Sequence, residues 1–190
     1  MHGRGVRPAG HDYHGTSVGE IARRLGQTVP AIYYHDENKQ ALLITLLQGS
    51  IQELLQRCEL ALAEACEDPV ERFTALVTCV LLYVGHRRDL VRLDAEIGRL
   101  EPPNRREYGQ RRRDLEALLR LAIEAGIDAG RMTTAHPHDA ARAVLTLCLG
   151  TTTWYEPGRA RLTPEGLTER YRTFALGAVG TLTAGPGRER

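Results

Sequence analysis

The stretch that decides the fold runs from Thr16 to Lys39 and reads TSVGEIARRLGQTVPAIYYHDENK. Ser17 and Glu20 have the spacing of a capping box, in which a hydroxyl and a carboxylate each satisfy a free backbone N–H at the start of a helix. Gly26 follows where a first helix needs a left-handed residue, and Pro30 lies in the first turn of a second helix, where a missing N–H costs nothing. The pattern therefore predicts two short helices joined by a tight turn, which is a helix-turn-helix.

A long apolar stripe begins directly after this motif. It predicts one helix from Asn38 to about Glu64, whose buried side chains are Leu47, Ile51, Leu54, Leu55, Cys58 and Leu62. Further helix starts are marked by a capping residue and a proline at Asp68–Pro69 and Thr163–Pro164. A helix from Asn104 to Ala125 is expected to stop at Gly126. No strand-like alternation is present, so we expect an all-α fold.

The segment that begins at Gly26 reads G-x-x-x-x-A-I-Y-Y-H-x-x-N-K-x-A-L-L. It resembles the DNA-reading segment of the TetR (tetracycline-repressor-like) family of bacterial transcriptional regulators. The positions that match the family pattern are Thr16, Ser17, Ile21, Ala22, Gly26, Ala31, Ile32, Tyr33, Tyr34, His35, Asn38, Lys39, Ala41, Leu42 and Leu43. The resemblance implies a helix-turn-helix DNA-binding domain in residues 1–46 and a helical ligand-binding and dimerisation domain in residues 47–182. The polar, Gly-, Pro- and Arg-containing residues 183–190 are expected to be a disordered tail.

Residues 1–15, MHGRGVRPAGHDYHG, depart from the family pattern, which opens with a helix that packs under the motif. Their glycines and proline, with few apolar side chains, predict no amphipathic helix. Either the first helix has been lost, or an upstream start or reading frame has been misassigned. Asp36 is a second departure, since the family has an anchoring apolar residue there. Both features predict that the helix-turn-helix is less stably packed and therefore weakened as a DNA-binding segment.

The resemblance assigns DNA contacts to both helices of the motif. The expected phosphate contacts come from Thr16, Ser17, Tyr33, Tyr34, His35 and Lys39. The residues expected to face base edges are Thr28, Val29, Pro30 and Ala31, whose small apolar groups suit thymine methyls. One of the two tyrosines is also explained as a core residue, and Lys39 as an ordinary surface charge. Because the net charge is only +1, any attraction to DNA must be local.

The body resembles one subgroup of the same family, the actinobacterial-type regulators of fatty-acid and sterol catabolism. The resemblance rests on RDLxRLxxEIxxL from Arg88, RxxYxxxRRxL from Arg105 and LGTTTWYEP from Leu149. Several members of that subgroup sense acyl-CoA thioesters, which implies a small, mostly apolar effector. The candidate lining residues are Tyr83, His86, Leu93, Ile97, Tyr108, Arg112, Leu115, Cys148, Thr152 and Trp154. Arg112 is the sharpest candidate, because a guanidinium can bind a carboxylate or phosphate bidentately; each of the others is also explained as a core or surface residue.

A homodimer is the assembly that the family resemblance implies. Residues 143–150 (AVLTLCLG) are apolar on nearly every side, which indicates a helix central to the body or to a subunit interface. The last helix carries small residues that let another helix approach closely. The expected dimer contacts are Leu145, Leu149, Phe174, Ala175, Ala178, Val179 and Leu182.

Several classes of function are excluded by the residue pattern. The four cysteines lack C-x-x-C spacing and are expected to be reduced core residues, so we predict no disulfide, no metal site and no cofactor. His136 and His138 are too few for a metal and fit a helix cap. No nucleophile elbow or phosphate-binding loop is present, so an enzyme is not expected. No signal peptide or membrane span is found, which predicts a cytoplasmic protein.

The resemblance implies a ligand-responsive DNA-binding regulator, specifically a repressor released by a small apolar or acyl-thioester effector. Its partner would be a palindromic double-stranded operator whose half-sites lie about one helical turn apart. The alternative is a ligand-binding and dimerisation protein that has weakened or lost DNA binding because its first helix is absent.

Overall fold

The computed structural model describes residues 36–156 and 162–181, with side chains from Ala41 onward. This part of the chain is helical and contains no strand, which confirms the all-α prediction. The helices are α1 (Asp36–Glu64), α2 (Pro69–Arg92), α3 (Pro102–Asp128), α4 (Pro137–Gly150) and α5 (Pro164–Ala178), with 3₁₀ helices at Leu93–Arg99 and Thr151–Thr153. The predicted irregular segment 1–15, the helix-turn-helix and the tail 183–190 lie outside the described residues.

The chain divides into two compact units, Met1–Leu43 and Ile44–Arg190. The second unit contains nearly all the described residues. In it α2 is the central helix, since it packs against α3, α4 and α5. The core face of α2 is buried and consists of Phe73, Leu76, Val77, Val80, Leu81 and Val84. The C-terminal half of α2 contains the candidate effector residues Tyr83 and His86.

The predicted helix starts are confirmed at two caps. The Asp68 carboxylate accepts hydrogen bonds from the backbone N–H groups of Val70 and Glu71, at 2.9 and 3.1 Å. The Thr163 hydroxyl accepts one from the N–H of Gly166, at 3.1 Å. Each cap satisfies donors that have no partner inside the helix, and so fixes where α2 and α5 begin.

Helix α2 runs further than the sequence pattern indicates. The apolar pattern fades near Gly85, but the helix continues to Arg92 through a kink at Arg87, whose backbone has φ −119° and ψ 27°. Gly85 has a different role. A Cβ placed there would lie 2.8 Å from Cβ of Pro164, so the glycine permits the close approach of α2 and α5. Gly85 therefore lies where α2 crosses α5, and α2 continues beyond it to Arg92.

The predicted stop of α3 at Gly126 is wrong. The helix continues to Asp128, and Gly130, with φ +65°, provides the left-handed residue that follows it. Gly126 is buried, and a Cβ there would lie 2.6 Å from Sδ of Met132. The helix also begins at Pro102, two residues before Asn104, because prolines are tolerated in a first turn.

Candidate functional site

The predicted DNA-contacting residues lie almost entirely outside the described part of the chain. This applies to Thr16, Ser17, Thr28, Val29, Pro30, Ala31, Tyr33, Tyr34 and His35. Lys39 belongs to the first turn of α1, and its side chain is outside the described part. The DNA contacts therefore stay predictions.

The hydroxyl of Tyr83 is the centre of a polar cluster between α1 and α2. It lies 3.2 Å from Oγ of Ser50, 3.0 Å from the Ser50 carbonyl oxygen and 3.2 Å from Oε2 of Glu53. The other oxygen of Glu53 accepts from Arg57 at 2.9 Å and from Arg87 at 3.4 Å. Tyr83 is thus bound to two residues of α1, and the cluster ties that helix to the central helix.

Burial and charge set the ionisation of this cluster. Burial raises the pKa of Tyr83 to about 12, so its hydroxyl keeps its proton at neutral pH. Burial alone would raise the pKa of Glu53, but the hydrogen bond from Arg57 and the charges of Arg87 and Arg57 outweigh it and lower that pKa. The cluster therefore contains a neutral phenol, one carboxylate and two guanidinium groups.

A second polar cluster joins the 3₁₀ helix Leu93–Arg99 to α3. Nη1 of Arg112 lies 2.6 Å from Oδ2 of Asp94, and the buried hydroxyl of Tyr108 donates to Oδ1 of the same carboxylate. Burial raises the pKa of Asp94, an effect that Arg112 and Tyr108 only partly offset. Burial and the Asp94 carboxylate raise the pKa of Tyr108. The structure thus pairs Arg112, the sharpest sequence candidate, with a carboxylate of its own chain.

Apolar and weakly polar candidates lie in the core. Leu93, Leu115 and Cys148 are buried and Ile97 is half-buried. Thr152 is also buried, and its hydroxyl donates to the carbonyl of Leu149 at 2.8 Å. Burial raises the pKa of Cys148 to about 12. These side chains can provide an apolar wall but no free charge.

Two other candidates lie at the surface. The side chain of His86 is 59% exposed, and its Nε2 lies 3.5 Å from Oε1 of Glu165 on α5. Trp154 is 51% exposed and stacks on Tyr171, with ring centroids 5.8 Å apart. Tyr171 in turn meets Phe174 edge to face. Trp154 therefore belongs to an aromatic row with α5, a position that suits an interface better than an enclosed pocket.

An open groove of about 820 Å³ lies between α1 and α2. From the candidate list it contains Tyr83 and His86. The groove also exposes side chains that the sequence did not single out: Arg57, Leu60, Ala61, Glu64, Ala65, Cys66, Glu71, Thr74, Ala75, Thr78, Cys79, Leu82 and Arg87. The sequence does contain one indication of the polar contact between α1 and α2, because Ser50 interrupts the apolar spacing of Leu47 and Leu54 on α1. A polar residue within a buried stripe predicts a polar partner on the facing helix.

The expected dimer residues divide into two groups. Leu145, Ala175 and Val179 are buried within the chain itself, and Leu149 is half-buried. Phe174 is 60% exposed and Ala178 is exposed, whereas Leu182 lies outside the described residues. Phe174, Gly177 and Ala178 are therefore exposed together near the C-terminal end of α5.

The described residues, 36–156 and 162–181, include neither a metal-binding cluster nor a membrane span. They contain no group of three or more His, Cys, Asp or Glu side chains placed to bind a metal ion. No helix in these ranges has the length and apolar character needed to cross a bilayer.

An all-helical body preceded by a helix-turn-helix pattern defines a class, the one-component DNA-binding regulator. The sequence matches the profile described as "Tetracyclin repressor-like, C-terminal domain" over residues 66–179, and "Bacterial regulatory proteins, tetR family" over residues 9–46. The chain belongs to the TetR family of transcriptional regulators. Members of this family bind DNA and are not enzymes. The match to the second profile begins at residue 9, within the segment 1–15 for which the sequence predicts no amphipathic helix. No curated protein sequence matches.

Three solved structures illustrate the fold. A TetR-family regulatory protein from Rhodococcus RHA1 is 25% identical, with a TM-score of 0.73 and 90% of each chain covered. The ketosteroid transcriptional regulator KstR2 of Mycobacterium tuberculosis is 22% identical, with a TM-score of 0.73, and the match covers 89% of this chain and 87% of KstR2. AibR, in complex with isovaleryl coenzyme A and operator DNA, is 22% identical, with a TM-score of 0.70 and 90% of each chain covered. The match extends over nearly the whole length of all three.

Proposed function

We propose that this chain is a homodimeric repressor that binds a palindromic operator through residues 16–39 and is released by a small effector with an apolar or acyl-thioester part. The effector site is proposed from the Asp94–Tyr108–Arg112 cluster and from two buried apolar residues close to it along the chain, Leu93 directly before Asp94 and Leu115 three positions after Arg112. Convergent polar groups next to an apolar wall are characteristic of small-molecule sites. A carboxylate with a raised pKa in such a place is also more common at functional sites than elsewhere.

The cluster suggests how an effector would be held. Arg112 is about one-third exposed, so its guanidinium stands at the edge of the body and not at its centre. The apolar part of the effector would lie against Leu93 and Leu115, and its anionic or carbonyl end would compete with Asp94 for Arg112. Support for this class of ligand comes from AibR, which shares the fold and whose structure contains isovaleryl coenzyme A.

The dimer is proposed from the outward face of α5 and its neighbour α4. Phe174, Gly177 and Ala178 are exposed on α5, and Ala143 and Thr146 are exposed on α4. One large aromatic side chain among small ones lets two helix pairs approach closely, with the ring as a central anchor. The rival function, a ligand-binding protein without DNA binding, is not favoured, because residues 9–46 match the DNA-binding profile of the family.

Fluorescence anisotropy with a labelled duplex from the DNA upstream of the gene tests the DNA-binding proposal. We expect the wild-type chain to bind that duplex at least ~1,000-fold more tightly than a shuffled duplex of equal composition at the same salt concentration. Equal affinity for both duplexes would overturn the proposal and favour the rival function.

The effector site is tested separately by isothermal titration with isovaleryl coenzyme A and longer acyl-CoAs. Arg112→Ala should weaken binding of the best ligand by about tenfold or more, because it removes a charge-assisted contact. Arg113→Ala is the matched control, since the neighbouring arginine is exposed and bonds to Gln110 on its own helix. If both variants bind as the wild type does, the effector does not use this cluster.

A further inference from the structure

Two cysteines on facing helices lie in near contact. Sγ of Cys58 on α1 is 3.7 Å from Sγ of Cys79 on α2. Cys58 is 0% exposed, whereas Cys79 is half-buried and forms part of the wall of the groove between the two helices. The half-buried residue therefore borders the groove, and the fully buried one is in near contact with it.

We propose that Cys58 and Cys79 form a redox site, in which a hydroperoxide oxidises the two thiols to a disulfide that links α1 to α2. A disulfide bond is about 2.05 Å long, so the two sulfurs have to approach each other by roughly 1.7 Å. Side-chain rotation and a small adjustment of two neighbouring helices provide a movement of this size. The pair thus has the proximity that the bond requires, although the sequence pattern favours four unlinked core cysteines.

The environment gives the two sulfurs different roles. The hydrogen bond from the Cys58 thiol lowers the pKa of Cys79, and the charge of Arg57, which lies on the same groove, adds to this effect against the opposing effect of burial. The hydrogen bond that the Cys58 thiol donates to Cys79, together with burial, raises the pKa of Cys58. Because the thiolate is the nucleophile, Cys79 is the residue that reacts first and Cys58 is the resolving thiol.

The chemistry balances in two steps. Cys79 first gives up its proton, and the thiolate attacks one oxygen of the hydroperoxide to form a sulfenic acid while the O–O bond breaks. The departing alkoxide, or hydroxide from hydrogen peroxide, takes the proton released by Cys79 and leaves as an alcohol or water. The sulfur of Cys58 then attacks the sulfur of Cys79, the S–O bond breaks, and the departing hydroxide takes the Cys58 proton to form water. Overall two thiols lose two electrons and two protons, and the hydroperoxide gains them. A thiol reductant reverses the change.

The other two cysteines provide controls within the same chain. Cys148 is 1% exposed and is held in a protonated state by burial, so it should not react. Cys66 is exposed and lies on the same groove, so it tests whether exposure alone determines reactivity. A site that depends on the Cys58–Cys79 contact should not need either of them.

The test begins with the full-length, reduced chain exposed to a small excess of hydrogen peroxide without denaturant. Remaining thiols are then alkylated, and the protein is analysed by intact mass and by peptide mapping. We expect a loss of two hydrogens, a cross-linked peptide joining Cys58 to Cys79, and recovery with dithiothreitol. Cys66→Ser and Cys148→Ser should behave as the wild type, whereas Cys58→Ser should accumulate a sulfenic acid on Cys79 that dimedone captures.

The peptide map of the wild-type protein tests for the disulfide directly, without depending on whether a cysteine variant folds. Full alkylation of Cys58 and Cys79 after peroxide treatment would overturn the proposal, as would a disulfide that involves Cys66. A second experiment, which rests on the proposed function, compares operator affinity of the oxidised and reduced proteins. Because α1 also contains Lys39 of the predicted DNA-contacting segment, the cross-link should change that affinity at least severalfold. Mass analysis detects the Cys58–Cys79 disulfide whether or not the protein binds an operator. The redox proposal and the DNA-binding proposal can therefore be contradicted separately.

Discussion

At the residue scale, the clusters around Tyr83 and Asp94 contain the information that the sequence could not provide. Tyr83 and Arg112 were identified as candidates from the resemblance of the body to known regulators, but their partners were not. Ser50 lies 33 residues from Tyr83, and Asp94 lies 18 residues from Arg112. Hydrogen bonds over such separations depend on how helices pack, and no local spacing encodes them. The interruption of an apolar stripe by Ser50 was the only local signal.

A pH series tests the ionisation of Asp94. Its pKa is raised above the usual value of 3.8, mainly by burial, so the folded state holds this proton more tightly than the unfolded chain does. Its contribution to stability is therefore present below pH 3.8 and is lost as the pH rises through the raised pKa. Relative to the non-titrating variant Asp94→Asn, the free energy of unfolding of the wild type should fall as the pH increases across the acid range. Urea unfolding at several pH values measures this difference, and a difference that grows with pH would contradict the assignment.

At the scale of helices, the sequence predicted the starts better than the ends. Asp68 and Thr163 act on backbone groups two or three residues away, so their role can be read locally. The predicted stop at Gly126 is wrong, because that glycine is required by the side chain of Met132 beyond the end of the helix, just as Gly85 is required by Pro164 of another helix. The sequence shows that a glycine is present but not which element approaches it.

Two glycine substitutions test this distinction. Gly126→Ala should lower the free energy of unfolding by about 1–3 kcal/mol, because the new methyl group collides with the buried side chain of Met132. Gly49→Ala should raise it by roughly 0.5–1 kcal/mol, since Gly49 is exposed within α1 and a Cβ there meets nothing within 4 Å. Thermal and urea unfolding of both variants measure the changes. Stabilisation by Gly126→Ala would show that α3 and Met132 are not in close contact.

At the scale of the whole molecule, the family and the helical fold could be predicted from the sequence. Which helix faces are buried within the body and which are exposed could not. The motif from Gly26 identified the family, and the profile matches confirm it. The apolar character of residues 143–150 left open whether the helix is central to the body or lies at an interface, and in the structure it has one buried and one exposed face. Trp154 is a candidate pocket residue through the resemblance of the body to known regulators, and the structure leaves its side chain 51% exposed and stacked on Tyr171, which the sequence alone does not indicate.

The assembly prediction concerns Phe174. Phe174→Arg should weaken self-association at least about tenfold, because it places a charge at the centre of the proposed interface. Leu60→Arg is the matched control: Leu60 is similarly exposed but lies on α1, away from α5, and its substitution should leave the dimer unchanged. Sedimentation velocity over a concentration series measures both. A wild-type chain that stays monomeric, or a Phe174→Arg variant that remains dimeric, would contradict the proposed interface.

The claim that the body senses a ligand and thereby controls the DNA-binding segment is tested most directly by one coupling measurement. The affinity of the best acyl-CoA is determined by titration with and without saturating operator DNA. Linkage requires that a ligand which releases the operator binds more weakly when the operator is present, by the same factor. We predict a decrease of about 5–150-fold, the usual range for such coupling. An effector affinity that does not change when operator is added would contradict the account.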